Sequence, residues 1–255
     1  MNFETITVTS ENGVCTVTLN RPDVMNCFDP QMCDEFALLW RILREDDTTH
    51  CIVLRANGAN FSTGLDVRAG RRYPADPWIV SDPGEQLCPK RNKVWKPIVC
   101  AVQGMCAGGA FYWLNEADII VCSEEATFFD PHTTYGMTAA LEPIGLRYRM
   151  PLGDVLRMVL LGLDERLSAT TALSRGLVTE VLPRDSLWDR ADELANLIAA
   201  KPPAAIQGSI KAVWESLDVS RTAALDRGYI YPQITKLVQP PVDRAMMKPD
   251  GWSIR

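Results

Sequence analysis

Apolar and polar positions alternate along residues 5–10 and again along 14–20, and Asn12-Gly13 stands between the two stretches. Alternation broken by an Asn-Gly pair predicts a β-hairpin. The period then changes. Asp29 followed by Pro30 supplies an N-cap and a first helical residue. Phe36, Leu39, Trp40 and Leu43 follow at helical spacing, which predicts a helix with one buried face. Cys51–Ala56 is a short, mostly apolar run and reads as a buried strand, closed by a loop with Asn57-Gly58. Ile98–Val102 and residues 119–122 repeat that signature, and between them a glycine-rich turn leads into a helix from about Gly108. From Leu141 onward the chain reads as mainly helical. Leu152–Leu161 and residues 191–200 are amphipathic or buried segments, and Pro202-Pro203 punctuates before a further helix. Strand–turn–helix units recur without repeating in residue identity. The pattern predicts an α/β core over residues 1–195 and a helical region over 196–255.

Residues 69–96 break this regularity. Pro74, Pro77, Pro83, Pro89 and the pair Arg71-Arg72 predict an irregular or partly helical insertion beside a binding site. Trp78, Ile79 and Tyr135 are candidates to line its pocket. His50, after Asp46-Asp47-Thr48-Thr49, reads as a surface-loop residue.

Composition narrows the class. With 47% hydrophobic and 23% charged residues the chain fits a soluble globular protein rather than a disordered one. Nothing in a net charge of -6 suggests a nucleic-acid binder, which usually carries a basic stripe. None of the 8 cysteines has CxxC spacing and only 2 histidines are present, which argues against a zinc site. Several cysteines lie inside apolar runs and read as small core residues of a reducing compartment. No basic-then-apolar leader opens the sequence, and no apolar run is long enough to span a membrane. The expected location is the cytoplasm, with no membrane partner.

Candidate chemistry lies in two turns. Phe61-Ser62-Thr63-Gly64-Leu65-Asp66 follows one strand, and Gly104-Met105-Cys106-Ala107-Gly108-Gly109-Ala110 follows another. Glycine lets the backbone bend sharply and lets a ligand approach. Backbone N–H groups at the start of a helix have no intrahelical partner. Two of them aimed at one point make an oxyanion hole, worth about 3–4 kcal/mol per donor in a transition state. Either turn alone is better explained by tight packing, since glycine turns are common.

Taken in this order, the two turns resemble the enoyl-CoA hydratase/isomerase (crotonase) family. Phe61 to Asp66 resembles its F-x-x-G-x-D segment, and Gln103 to Gly109 resembles its N-G-x-x-x-G-G segment. Asn20-Arg21-Pro22 through Asn26 is similar to the N-R-P…N-A stretch that lines the CoA site. Leu161-Gly162, Ser168-Ala169 and Arg175-Gly176-Leu177-Val178 are similar to its L-t-G…s-A…G-L-V stretch. The resemblance spans roughly residues 5–215. It implies a spiral of ββα turns with a C-terminal helical region that mediates trimerisation, and a homotrimer or homohexamer. It implies an acyl-CoA thioester as ligand, with coenzyme A entering as part of the substrate and no permanently bound cofactor or metal. Thr63 N–H and Gly109 N–H would hold the thioester oxygen. Met25, Phe61, Thr63, Gly64, Leu65, Asp66 and Gly109 would line the ligand, Asp66 more as a structural cap on a following helix than as a catalyst. Arg68, Arg71 or Arg72 would meet CoA phosphates, or form a solvated basic face.

The chain departs from the family's hydratases at both acid/base positions. The first glutamate is replaced by Tyr112, and the second, after the proline of Ala126-Thr127-Phe128-Phe129-Asp130-Pro131, by His132. A phenol near pKa 10 is a poor base, whereas an imidazole near 6.5 serves as acid or base. A further acidic position of other members falls on Ala140, with Glu142 two residues on as its substitute if the loop bends and Asp130 as a weaker choice. Those replacements favour isomerase or lyase-like chemistry through an enolate on an unusual acyl-CoA. Hydrolysis of a C–C or thioester bond is a second reading, and a non-catalytic acyl-CoA-binding protein a third. An unrelated α/β scaffold is the remaining alternative.

Overall fold

The computed structural model describes residues 3–69, 78, 82–240 and 254. The chain divides after Ala200 into two units.

The first unit is built on a six-stranded sheet in the order β1-β2-β3-β4-β6-β9. Strands β1 (Ile6–Glu11) and β2 (Val14–Leu19) form the antiparallel hairpin, turning through Asn12 and Gly13, both at positive φ. Strands β3 (Cys51–Ala56), β4 (Ile98–Val102), β6 (Ile119–Ser123) and β9 (Glu180–Leu182) then add in parallel. Parallel strands covered on both faces need apolar side chains on both, and β3 meets that need. Ile52 and Leu54 point into the main core with Phe36, Trp40 and Trp113. Cys51 and Val53 point the other way, onto Leu187, Ala191 and Ala195 of helix α6 (Leu187–Ala199). The small alanines let that helix lie close to the sheet. The boundary expected at residue 195 falls inside α6.

Helix α1 (Pro30–Glu45) begins where Asp29 accepts a hydrogen bond from Met32 N–H at 2.8 Å. It buries Met32, Cys33, Phe36, Leu39, Trp40 and Leu43. His50, expected on the surface, is half-buried. Its ring lies against Gly13 and its Nδ1 is 3.1 Å from the Ala199 carbonyl, tying α6 to the hairpin.

A second, three-stranded sheet carries the site. It consists of β5 (Met105–Ala107), β7 (Thr127–Phe129) and β8 (Leu167–Ser168). These strands have two or three residues each, too short to show a period, and the pattern of apolar positions missed all of them together with β9. The short helix α2 (Phe111–Glu116) follows β5, and α3 (Leu141–Leu146), α4 (Leu152–Leu161) and α5 (Ala169–Arg175) follow β7.

The second unit holds α7 (Pro203–Glu215), α8 (Arg221–Gly228) and α9 (Ile230–Val238). Helices α7 and α9 pack together, and the Tyr231 hydroxyl donates to Glu215. Val213, Leu225, Ile230, Ile234 and Leu237 are exposed. Among the described residues no helix is long and apolar enough to cross a membrane.

Candidate active site

The two glycine turns are stitched to each other. Phe61 N–H donates to the Gln103 carbonyl at 2.8 Å, and Ala107 N–H to the Ser62 carbonyl at 3.0 Å, with a bridge between Ser62 and Cys106. Ser62 Oγ donates to the Asn26 carbonyl at 2.8 Å and receives Gly64 N–H at 3.2 Å. Gln103 extends the frame by donating its side-chain amide to the Ala56 carbonyl at 2.7 Å. Phe28 N–H bonds to the Gly64 carbonyl and Asp66 N–H to the Phe28 carbonyl, each at 2.8 Å.

This frame brings Gly64 against Gly109. A Cβ on Gly64, whose φ is +88°, would lie 2.7 Å from Gly109 N and 2.9 Å from the Ala107 carbonyl oxygen. Glycine is required there twice over, for the left-handed conformation and for the close approach. Gly109 N–H lies in the first helical turn after β5, where no carbonyl sits one turn back to receive it. Thr63 N–H donates to the Met25 carbonyl at 3.2 Å, the long end of the hydrogen-bond range. The Thr63 hydroxyl lies 3.0 Å from Cys27 Sγ.

A cavity of about 980 Å³ opens beside the turns. Met25, Thr63, Leu65, Asp66, Gly109, Tyr112, His132, Tyr135 and Glu142 all line it, as does Arg68. Two residues expected there do not reach it. Phe61 is fully buried beneath the turn, its ring edge-on to Trp113 at 6.1 Å, and Gly64 spaces the turns instead of facing the cavity. Trp78 is 89% exposed and is not part of the lining, while Ile79, Arg71 and Arg72 lie outside the described residues. Asp66, expected as a helix cap, caps no helix in the described segment. It pairs with Arg21 at 3.1 Å and accepts Arg68 N–H at 3.1 Å across a turn.

Three polar groups stand close together in the cavity wall. The His132 ring packs over Gly108, where a Cβ would come within 3.7 Å of Cε1. Its Nδ1 is 2.7 Å from Asp130 Oδ1, and its Nε2 faces Glu142 Oε1 at 3.8 Å. Ala140 precedes α3, and Glu142, in the helix's first turn, lies in the cavity wall. Burial pushes the Glu142 carboxyl above the ordinary carboxylate value of 4.5, with His132 drawing it partly back.

Tyr112 behaves differently. Its hydroxyl donates to Asp82 Oδ2 at 2.5 Å, and its ring fills the space left by Gly84. Burial raises its pKa far above that of a free phenol, with Glu142 and Asp82 adding to the effect. The Tyr112 hydroxyl is therefore engaged as a hydrogen-bond donor to Asp82. Asp82 escaped the sequence reading, although Asp82-Pro83 is a helix-start signal and does cap the 3₁₀ turn Pro83–Leu87 through Gly84 N–H.

A raised carboxyl pKa carries a stability consequence. The folded state holds the Glu142 proton more tightly than the unfolded state does, so its contribution is present below pH 4.5 and is lost as pH rises through the raised value. Glu142→Gln is expected to raise the melting temperature at pH 8 relative to the native chain, with little gain at pH 4. Thermal denaturation at both pH values reads this, and an equal or lower melting temperature at pH 8 would refute it.

The fold and these stitched turns define a crotonase-type spiral. The model of the enoyl-CoA hydratase/isomerase family matches residues 9–228. The chain is 29% identical over 234 residues to (E)-benzylidenesuccinyl-CoA hydratase of Thauera aromatica, covering 90% of this chain and 88% of that one. It is also 29% identical over 225 residues to 1,2-epoxyphenylacetyl-CoA isomerase of Escherichia coli, covering 85% and 82%. A crystal structure of an enoyl-CoA hydratase/isomerase from Mycobacterium paratuberculosis superposes with a TM-score of 0.85 at 31% identity, covering 94% of this chain and 92% of that one. The chain belongs to the enoyl-CoA hydratase/isomerase family.

Proposed function

We propose that this protein is an acyl-CoA isomerase that moves a double bond through an enolate. The thioester carbonyl sits between Thr63 N–H and Gly109 N–H, with the substrate oxygen displacing or sharing the long Thr63–Met25 bond. His132 Nε2 removes a proton from the carbon chain, the electron pair moves onto the thioester oxygen, and the proton returns at a different carbon. Glu142, 3.8 Å from Nε2, holds or delivers it.

The observation that carries this reading is the His132–Glu142 pair beside the two turns. Equal identity to a hydratase and to an isomerase gives the whole-chain comparison no vote on the reaction. Local chemistry has one. Adding water across a double bond needs a base on the water and an acid on the carbon. Tyr112, engaged with Asp82 and with a raised pKa, supplies no second base. One proton-transfer pair suffices for a shift along the chain.

One feature favours hydrolysis as the second reading. An imidazole backed by a carboxylate, as His132 is by Asp130, is also suited to activating water toward a carbonyl. In this reading coenzyme A enters with the substrate, and Arg68, which lines the cavity, would meet its phosphates. The exposed apolar residues of α7 to α9 support assembly with further copies, as a homotrimer or homohexamer.

The test is incubation with 2-enoyl, 3-enoyl, 3-oxo and cyclic acyl-CoAs, with products resolved by chromatography and mass spectrometry. A product of unchanged mass with a moved double bond is expected. A gain of water with cleavage would establish the hydrolase reading instead. Binding without any turnover would leave a non-catalytic acyl-CoA-binding protein.

A further inference from the structure

Asp130 takes no direct part in the proton shift just described, yet its side chain is fully buried at the edge of the site. One of its oxygens does two things. Oδ1 accepts the backbone N–H of His132 at 3.0 Å and lies 2.7 Å from Nδ1 of the same residue. The residue between them is Pro131, whose ring fixes φ and leaves the loop little freedom. The loop therefore sets both the place and the rotation of the imidazole. Gly108 beneath the ring gives it room, and Glu142 approaches from α3 on the far side.

We propose that Asp130 is a positioning residue that fixes His132 in the tautomer with its hydrogen on Nδ1, so that Nε2 presents a lone pair toward the cavity and Glu142. A carboxylate oxygen has no hydrogen to give, and this one already receives a backbone N–H. Nδ1, at 2.7 Å from that oxygen, must then be the donor. In a neutral imidazole the remaining nitrogen is bare and basic. Without Asp130 the ring would be free to carry its hydrogen on Nε2 and would meet the substrate with an N–H in place of a base. Among the described residues, Glu142 is a second ionisable group facing the ring, and it in turn lies near Tyr112 and Asp82. A purely structural role, in which Asp130 only makes the turn around Pro131, would leave the tautomer indifferent to it. The catalytic importance of this tautomer rests on the isomerase reading, whereas the tautomer itself is a property of the resting protein.

The experiment is nitrogen-15 NMR of histidine-labelled full-length protein at a pH where the rings are neutral. The chain has 2 histidines, so the spectrum is simple. His50, whose Nδ1 lies 3.1 Å from the Ala199 carbonyl, is an internal reference that Asp130 does not touch. In the native protein both rings are expected as Nδ1–H. In Asp130→Ala, His132 is expected to gain Nε2–H character while His50 stays unchanged. On an acyl-CoA that the native protein turns over, kcat should fall about 100-fold with KM within about two-fold. Asp130→Asn keeps an acceptor oxygen and is expected to restore the Nδ1–H signal and part of the rate. It carries the test if Asp130→Ala disturbs the His50 signal, which would report misfolding. Native His132 found as Nε2–H overturns the proposal, as does an unchanged His132 tautomer in a folded Asp130→Ala. If the tautomers are as stated but no acyl-CoA is turned over, the isomerase reading falls and the positioning role stands.

Discussion

Replacing His132 with alanine is expected to lower kcat on the true acyl-CoA by about 10²–10⁴-fold, the usual contribution of a positioned acid or base. KM should stay within a few-fold. The separation follows from the geometry. The amides of Thr63 and Gly109 belong to turns held by Phe61, Ser62 and Gln103, none of which depends on the imidazole. In the proposed reading, binding and proton transfer thus rest on separate parts of the frame. The alanine variant also leaves the Asp130 carboxylate buried without its ring partner, which costs stability. His132→Gln, which retains an N–H donor for Asp130, controls for that effect and should be as inactive while melting closer to the native protein. Steady-state kinetics on both variants is the measurement. Full activity in either would remove His132 from the mechanism.

Gly64→Ala is expected to damage both fold and activity. At φ +88° a side chain is strained by about 1–2 kcal/mol. The new Cβ would also meet backbone atoms of Gly109 and Ala107 below 3.0 Å, and backbone cannot swing aside as a side chain can. The turns must separate, adding about 1–3 kcal/mol of overpacking cost. Separation misplaces at least one amide, for which a loss of about 10²–10³-fold in kcat is expected. Denaturant titration and kinetics on the folded variant read the two effects. Gly153→Ala, in α4 with no atom outside its own helix within 4 Å of the added Cβ, is the control and should leave activity unchanged and stability equal or slightly higher. A Gly64→Ala protein as stable and active as the control would show that the close approach of the turns is dispensable.

Much of this site was legible because its backbone demands particular residues. At Gly64 and Gly109 an added Cβ would come closer than 3.0 Å to its neighbours, and Gly108 holds a left-handed φ, so the turns announce themselves in sequence. Asp29-Pro30 and the apolar stripe of α1 were equally plain, since capping and burial act locally. What escaped depends on contacts between distant segments. Strands β5, β7 and β8 exist because they pair with one another, and nothing within two or three residues foretells that. The bond from Tyr112 to Asp82 joins residues 30 apart, and only the fold shows that the tyrosine is already engaged. Phe61 fits the motif of a ligand-lining residue but serves the core, since a large apolar ring next to a turn reads the same in sequence whichever way it points. Asp130 was visible as an acidic residue two before His132, but one carboxylate oxygen bonding both the amide and the ring requires the turn around Pro131.

The polarising role of the two turns is the centre of the account, and difference infrared spectroscopy addresses it without needing turnover. A saturated acyl-CoA carrying a carbon-13 label at the thioester carbonyl would be bound to the native protein and to Gly64→Ala. The account predicts that the labelled carbonyl stretch moves to lower frequency on the native protein, as two amides draw charge onto the oxygen, and that the shift shrinks in the variant. A bound ester whose carbonyl band stays where it is in water would contradict it.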